Sequence, residues 1–151
     1  MPEPNVRVET TVPRQLAAVR MHTTRPGLPK AIREGLDQVW PQIKDRSGLN
    51  VVLYHPAGPE GLGEQFDIET GVEVPAGFTP SAPVYLATTP GGRVVTAAHF
   101  GPYDRMMDTY RAIDAYVREH GLRMTGPSWE VYGHWSDDPA KLRTDIFFPI
   151  G

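Results

Sequence analysis

The chain has 151 residues, the size of one compact domain with a sizeable core, and 40% of them are apolar against 22% charged, which excludes a disordered chain. A formal charge of −3, with no Lys or Arg run longer than two, provides no field for collecting phosphate backbones, and the absence of cysteine removes disulfides, thiolate zinc sites and a cysteine nucleophile. The polar opening residues, Met1 to Asn5, and the lack of any apolar run near the roughly 20 residues of a membrane span predict a cytoplasmic protein with neither nucleic acid nor a membrane as partner.

In chain order, the alternating stretches Val6 to Val12 and Gln15 to His22 read as strands. From Pro29 to about Lys44, the positions of Ile32, Leu36, Val39, Trp40 and Ile43 paint one face of a helix, in which Pro41 predicts a kink or break near Trp40 because it lacks an N–H and crowds the preceding turn. Leu49 to Tyr54 and Gln65 to Val74 are strands on either side of the Gly/Pro cluster Pro56 to Gly63, and Val84 to Thr88 follows the cluster Pro75 to Pro83. Pro90-Gly91-Gly92 reads as a hairpin turn leading into the strand Arg93 to Phe100. A second helix over Pro102 to His120 carries Met106, Tyr110, Ile113 and Val117 on one face and stops at Gly121. Strands over Trp129 to Tyr132 and Thr144 to Phe148 complete an α+β pattern.

An internal repeat organises these elements. His22 and Tyr54 are 32 residues apart around the first helix, and His99 and Tyr132 are 33 apart around the second; Tyr54 to Asp67 and Tyr132 to Asp145 both span 13. Two copies, roughly 15–75 and 93–150, are too few for a solenoid, so a pseudo-two-fold pair within one domain, 1–151, is expected, with a groove between the halves.

On the strand Trp129-Glu130-Val131-Tyr132, alternation puts Glu130 and Tyr132 on one face and Trp129 and Val131 on the other. Val52 takes the place of Glu130 in the first half while Tyr54 matches Tyr132, so one acid breaks the symmetry and marks a candidate site; the plainer alternative is an acid that faces solvent. His99-Phe100-Gly101-Pro102-Tyr103 places a His and an aromatic before a helix N-terminus, where a ligand group could dock, although Gly101 and Pro102 also serve as an ordinary cap. Trp40 and Tyr116 occupy corresponding helix positions and read as core residues that could also wall a pocket. Five histidines show no zinc-binding spacing, and His134 with Asp137 and Asp138 reads as a solvated turn, so no metal is expected. With neither a dinucleotide fingerprint nor a nucleophile elbow, no cofactor is expected.

The repeat, the His99 to Tyr103 segment and the Trp129 to Tyr132 strand together resemble the GyrI-like family, the effector-binding domain of bacterial multidrug-responsive transcription activators. Leu16 to His22, Gly48 to Tyr54, Phe66 to Val72, Val94 to Phe100 and Asp145 to Ile150 carry the match in order and spacing. The resemblance implies two pseudo-symmetric β-α-β-β modules that form an antiparallel sheet with two main helices and a central ligand cleft. It also implies binding of bulky aromatic, often cationic, small molecules, with Glu130 as the acid and Tyr132, Tyr54 and Tyr103 as walls; His99 and Trp40 join the candidate ligand-binding set from their own positions in the chain. With no helix-turn-helix pair or basic patch, the chain looks like a stand-alone member. Some stand-alone members resemble hydrolases that add water to strained cyclopropane rings of DNA-alkylating compounds, for which Glu130 and Tyr132 would be the catalytic pair; another branch is linked with inhibition of DNA gyrase through a protein partner. Composition and spacing leave these three readings, and the oligomeric state, open.

Overall fold

A computed structural model of the chain describes residues 5–45, 47–57 and 65–151. Residues 58–64 of the first Gly/Pro cluster and residues 1–4 of the polar N-terminus lie outside that description. All eight stretches expected to be strands are strands: β1 (Arg7–Thr11), β2 (Gln15–Thr24), β3 (Asn50–Ala57), β4 (Gln65–Glu73), β5 (Tyr85–Thr88), β6 (Gly92–Phe100), β7 (Ser128–Tyr132) and β8 (Arg143–Pro149). The helices are α1 (Leu28–Val39) and α2 (Met106–Glu119), so the fold is α+β.

Local chemistry explains where the helices stop. Pro41 ends the α-helical ladder at Val39, and Trp40–Gln42 continue as a tighter 3-10 turn, as its missing N–H dictates. At the end of α2, Gly121 takes φ +60, its N–H donates to the Arg118 carbonyl (3.3 Å), and the Leu122 N–H donates to the Val117 carbonyl (3.0 Å). This left-handed turn satisfies carbonyls that the helix leaves unpaired.

The chain divides into two compact units, one contiguous, Pro13–Thr89, the other made of residues up to Val12 together with Pro90–Gly151. In the contiguous unit the strands run in the order β3-β4-β2-β5, all neighbours antiparallel. In the split unit the order is β1-β6-β8-β7, again antiparallel. Each unit therefore holds a β-α-β-β module whose last strand lies between its first two, β4 between β2 and β3, and β8 between β6 and β7.

Each helix buries its apolar stripe on one face of its own sheet. Ala17, Val19 and Val72 meet Val39 and Ile43 in the contiguous unit. Val95, Ala97 and Ile146 meet Ile113 and Val117 in the split unit. These contacts correct the repeat at one point. The helix-covered positions are odd-numbered in both β2 (Ala17, Val19, with Met21 packed alongside) and β6 (Val95, Ala97, His99), so Met21, not His22, matches His99. A one-residue offset exchanges the faces of a strand. His22 accordingly lies on the open face, with its Nδ1 2.7 Å from Oδ1 of Asp67, whereas His99 is buried under α2.

Pro90-Gly91-Gly92 is also not the hairpin its composition suggests. β5 pairs with β2, and β6 pairs with β1 and β8, so this segment carries the chain from one unit to the other, with Gly92 at φ +118.

The approach of α1 to its sheet is set by Gly35. A Cβ there would lie 2.7 Å from Cγ2 of Thr70 and 3.1 Å from Sδ of Met21. Gly35→Ala is expected to destabilise the protein, because an overpacking cost of about 1–3 kcal/mol exceeds the roughly 1 kcal/mol that alanine gains over glycine inside a helix. Urea unfolding checks this, and a rise in the midpoint would contradict it.

Candidate functional site

β7 contributes the central acid. Glu130 is 3% exposed, on the face of the sheet that α2 covers, which sets aside the solvent-facing alternative. Its Oε1 accepts a hydrogen bond from the Tyr132 hydroxyl at 2.5 Å, and its Oε2 accepts one from the Tyr110 hydroxyl. Tyr132 reaches the carboxylate because residues two apart on a strand share a face, and Tyr110 reaches it from the apolar stripe of α2. Both bonds are charge-assisted when the carboxyl is ionised, the arrangement that lets a carboxylate exist with little water around it.

Tyr103, on the 3-10 turn that leads into α2, sets its ring edge-on to Tyr132, with centroids 5.7 Å apart. It is 40% exposed, and partial burial raises its phenol above the usual value. Glu130, Tyr132 and Tyr103 thus lie together. Tyr110 joins them, although its spacing marked it only as a core residue. The available signal was chemical: a buried tyrosine hydroxyl needs a partner, and Glu130 supplies one.

His99 is buried and held by two hydrogen bonds. Its Nδ1 is 2.9 Å from Oγ1 of Thr109 and its Nε2 is 2.9 Å from the Pro102 carbonyl. A carbonyl can only accept, so Nε2 carries the proton, and in the neutral ring Nδ1 accepts from the Thr109 hydroxyl. Both nitrogens are therefore spent on holding the 3-10 turn and α2, the elements that bear Tyr103 and Tyr110. Gly101 and Pro102 behave as a turn: Gly101 has φ +123 and donates its N–H to the Leu142 carbonyl (2.9 Å).

Trp40 and Tyr54 belong to the contiguous unit. The Trp40 indole N–H donates to Oδ1 of Asn50 (3.0 Å) while its ring packs on the core beside Leu36. Tyr54 is half-buried on β3, on the same face as Val52. In the split unit Tyr116 stacks on His120 at 3.9 Å. Beyond β7, Oδ1 of Asp138 accepts the Ala140 N–H (3.1 Å) and caps a 3-10 turn at Pro139–Lys141, the solvated turn expected near His134. Among the described residues no three His, Asp or Glu side chains form a metal-binding group, and no helix is long and apolar enough to cross a membrane.

A second carboxylate–phenol contact lies in the contiguous unit, on the sheet face away from α1. Glu69 accepts from the Tyr85 hydroxyl (2.6 Å) and its other oxygen is 2.7 Å from Nε2 of His55. Burial and the neighbouring Glu69 carboxylate push the Tyr85 phenol well above its usual range.

The chain belongs to the GyrI-like family: the GyrI-like small molecule binding domain matches residues 4–151. Among solved structures, the EcmrR C-terminal domain is similar over 98% of this chain and 98% of its own, with 20% identity and a TM-score of 0.79. SAV2435 bound to tetraphenylphosphonium matches over 97% of this chain and 94% of its own, at 12% identity and a TM-score of 0.70. A hydrolase from Listeria innocua matches over 100% and 94%, at 14% identity and a TM-score of 0.67. At such identities these likenesses describe the fold. No protein of curated function matches the chain.

The role of His99 gives a test. Thr109→Val keeps the side-chain volume but leaves the buried Nδ1 of His99 without its donor, so stability should fall by about 1–3 kcal/mol. Chemical denaturation measures it; an unchanged midpoint would mean that the imidazole does not anchor α2.

Proposed function

We propose that the protein binds bulky aromatic cations against Glu130, with Tyr132, Tyr110 and Tyr103 supplying ring contacts. The observation that carries this reading is a carboxylate 3% exposed whose two oxygens each accept a phenol hydrogen bond. The phenols satisfy lone pairs but bring no positive charge, so a cation beside them adds an ion pair that hydrogen bonds alone do not supply. The ring faces add cation–π attraction of about 0.5–2 kcal/mol. Tetraphenylphosphonium, which has no N–H to donate and must be held by charge and ring contact, is bound by SAV2435, a protein of the same fold, and this supports the choice of ligand class.

Glu130→Gln keeps the side-chain shape and removes the charge. Isothermal titration with tetraphenylphosphonium should show binding weakened by about tenfold or more in this variant, equivalent to about 1.4 kcal/mol. Equal affinity in the two proteins would remove Glu130 from the site.

The hydrolase reading is kept because a carboxylate and a phenol 2.5 Å apart can work as an acid–base pair. Glu130 would take a proton from water as the water oxygen bonds to a cyclopropane carbon. The ring carbon–carbon bond breaks, its electron pair moves into the electron-withdrawing group conjugated with the ring, and Tyr132 protonates that group. The proton on Glu130 then returns to Tyr132 across their hydrogen bond. The shared fold with a Listeria innocua hydrolase is in keeping with this chemistry. Mass spectrometry of a cyclopropane-bearing DNA-alkylating compound incubated with the protein should show a gain of one water over many turnovers, lost in Glu130→Gln. A compound recovered unaltered would leave binding as the activity of the site.

A further inference from the structure

The split unit buries one polar group that has no role in the site as described so far. Thr144 of β8 is 0% exposed, and its Oγ1 has no hydrogen-bond partner among the described residues. Thr144 is paired with His99 on one side and with Tyr132 on the other, so these three side chains form a row on the face under α2. The next row on that face is Ala97, Ile146 and Glu130.

The contiguous unit shows what the sheet requires at this place. Its corresponding row is Met21, Ile68 and Tyr54, with Ile68 between the other two and fully buried. Isoleucine and threonine share a β-branched shape, so packing calls for the shape and not for the hydroxyl. A buried hydroxyl without a partner is costly, and an apolar group of the same shape in its place is neutral or stabilising. Thr70 is a second such hydroxyl, but Val19 and Val52 flank it and its Cγ2 faces Gly35, an apolar setting.

Around Thr144 the setting is polar and its neighbours are committed. His99 is held to the Pro102 carbonyl and to Thr109, each at 2.9 Å, and Tyr132 gives its proton to Glu130. Of the row, Thr144 is the member that keeps both a donor and an acceptor to offer. A ligand that meets the Tyr132 ring finds this hydroxyl one strand away, about 5 Å between Cβ atoms.

We propose that Thr144 is a specificity-determining residue of the Glu130 site and selects aromatic cations that carry a hydroxyl or similar hydrogen-bonding group on a ring. The inference rests on the reading of Glu130 as the cation site. Tetraphenylphosphonium and (4-hydroxyphenyl)triphenylphosphonium, equal in charge and nearly equal in size, are the probes, titrated calorimetrically into the full-length protein. Thr144→Val should lower affinity for the hydroxylated probe about tenfold relative to tetraphenylphosphonium, because the probe's hydroxyl is then buried without a partner. Thr144→Ser, which keeps the hydroxyl, should retain the wild-type ratio. The urea midpoint of Thr144→Val should equal or exceed that of the wild type. An unchanged ratio in Thr144→Val would overturn the proposal, and so would a lower midpoint, which would give the hydroxyl a structural role. Glu130→Gln keeps the two readings apart: it should weaken both probes to a similar extent, and if it weakens neither, the cation site at Glu130 fails whatever Thr144→Val does to the ratio.

Discussion

A carboxyl group removed from water is costly unless the protein supplies the hydrogen bonds that water gave. For Glu130 those bonds come from two elements, Tyr132 on its own strand and Tyr110 on α2, so the helix has to lie where its phenol meets the acid. His99 reinforces that placement through Thr109 and the Pro102 carbonyl. The face under α2 thus changes character along the helix. Its C-terminal half, with Ile113 and Val117, packs on Val95, Ala97 and Ile146, and its N-terminal half covers His99 and Glu130. One helix closes a core at one end and holds a buried acid at the other.

The sequence carried most of the fold because the signals were local. Alternation located every strand, Pro41 and Gly121 ended the helices, and the departure of Glu130 from an otherwise repeated strand marked the acid. What it did not carry were facts that depend on distant pairing. His22 and His99 look equivalent along the chain, yet whether a strand residue meets a helix or solvent depends on parity, which chain spacing measured to within one residue does not fix. Pro90-Gly91-Gly92 has the composition of a hairpin, but the partners of its flanking strands lie far away in the chain. Tyr110 was visible as part of an apolar stripe, and only the strand register brought an acid to its hydroxyl.

The two units show how one module supports different chemistry. Each holds a carboxylate by a phenol, Glu130 by Tyr110 and Tyr132, Glu69 by Tyr85. In the split unit the acid is on the helix-covered face. In the contiguous unit that face is apolar at Val52 and Val72, and the acid stands on a different strand of the module, β4, on the opposite face, beside His55 and near Arg20, His22 and Asp67.

The first strand does not belong to the unit that follows it. β1 pairs with β6, with Arg7 opposite Thr96, while the residues between them form the whole of the other unit. During synthesis the contiguous unit has all four of its strands once Thr89 has emerged. The split unit must wait for the C-terminal strands and then recover an N-terminal segment across a long loop, although loop-closure entropy grows only slowly with length. The half that carries Glu130 therefore has its full set of strands only once β8 has emerged.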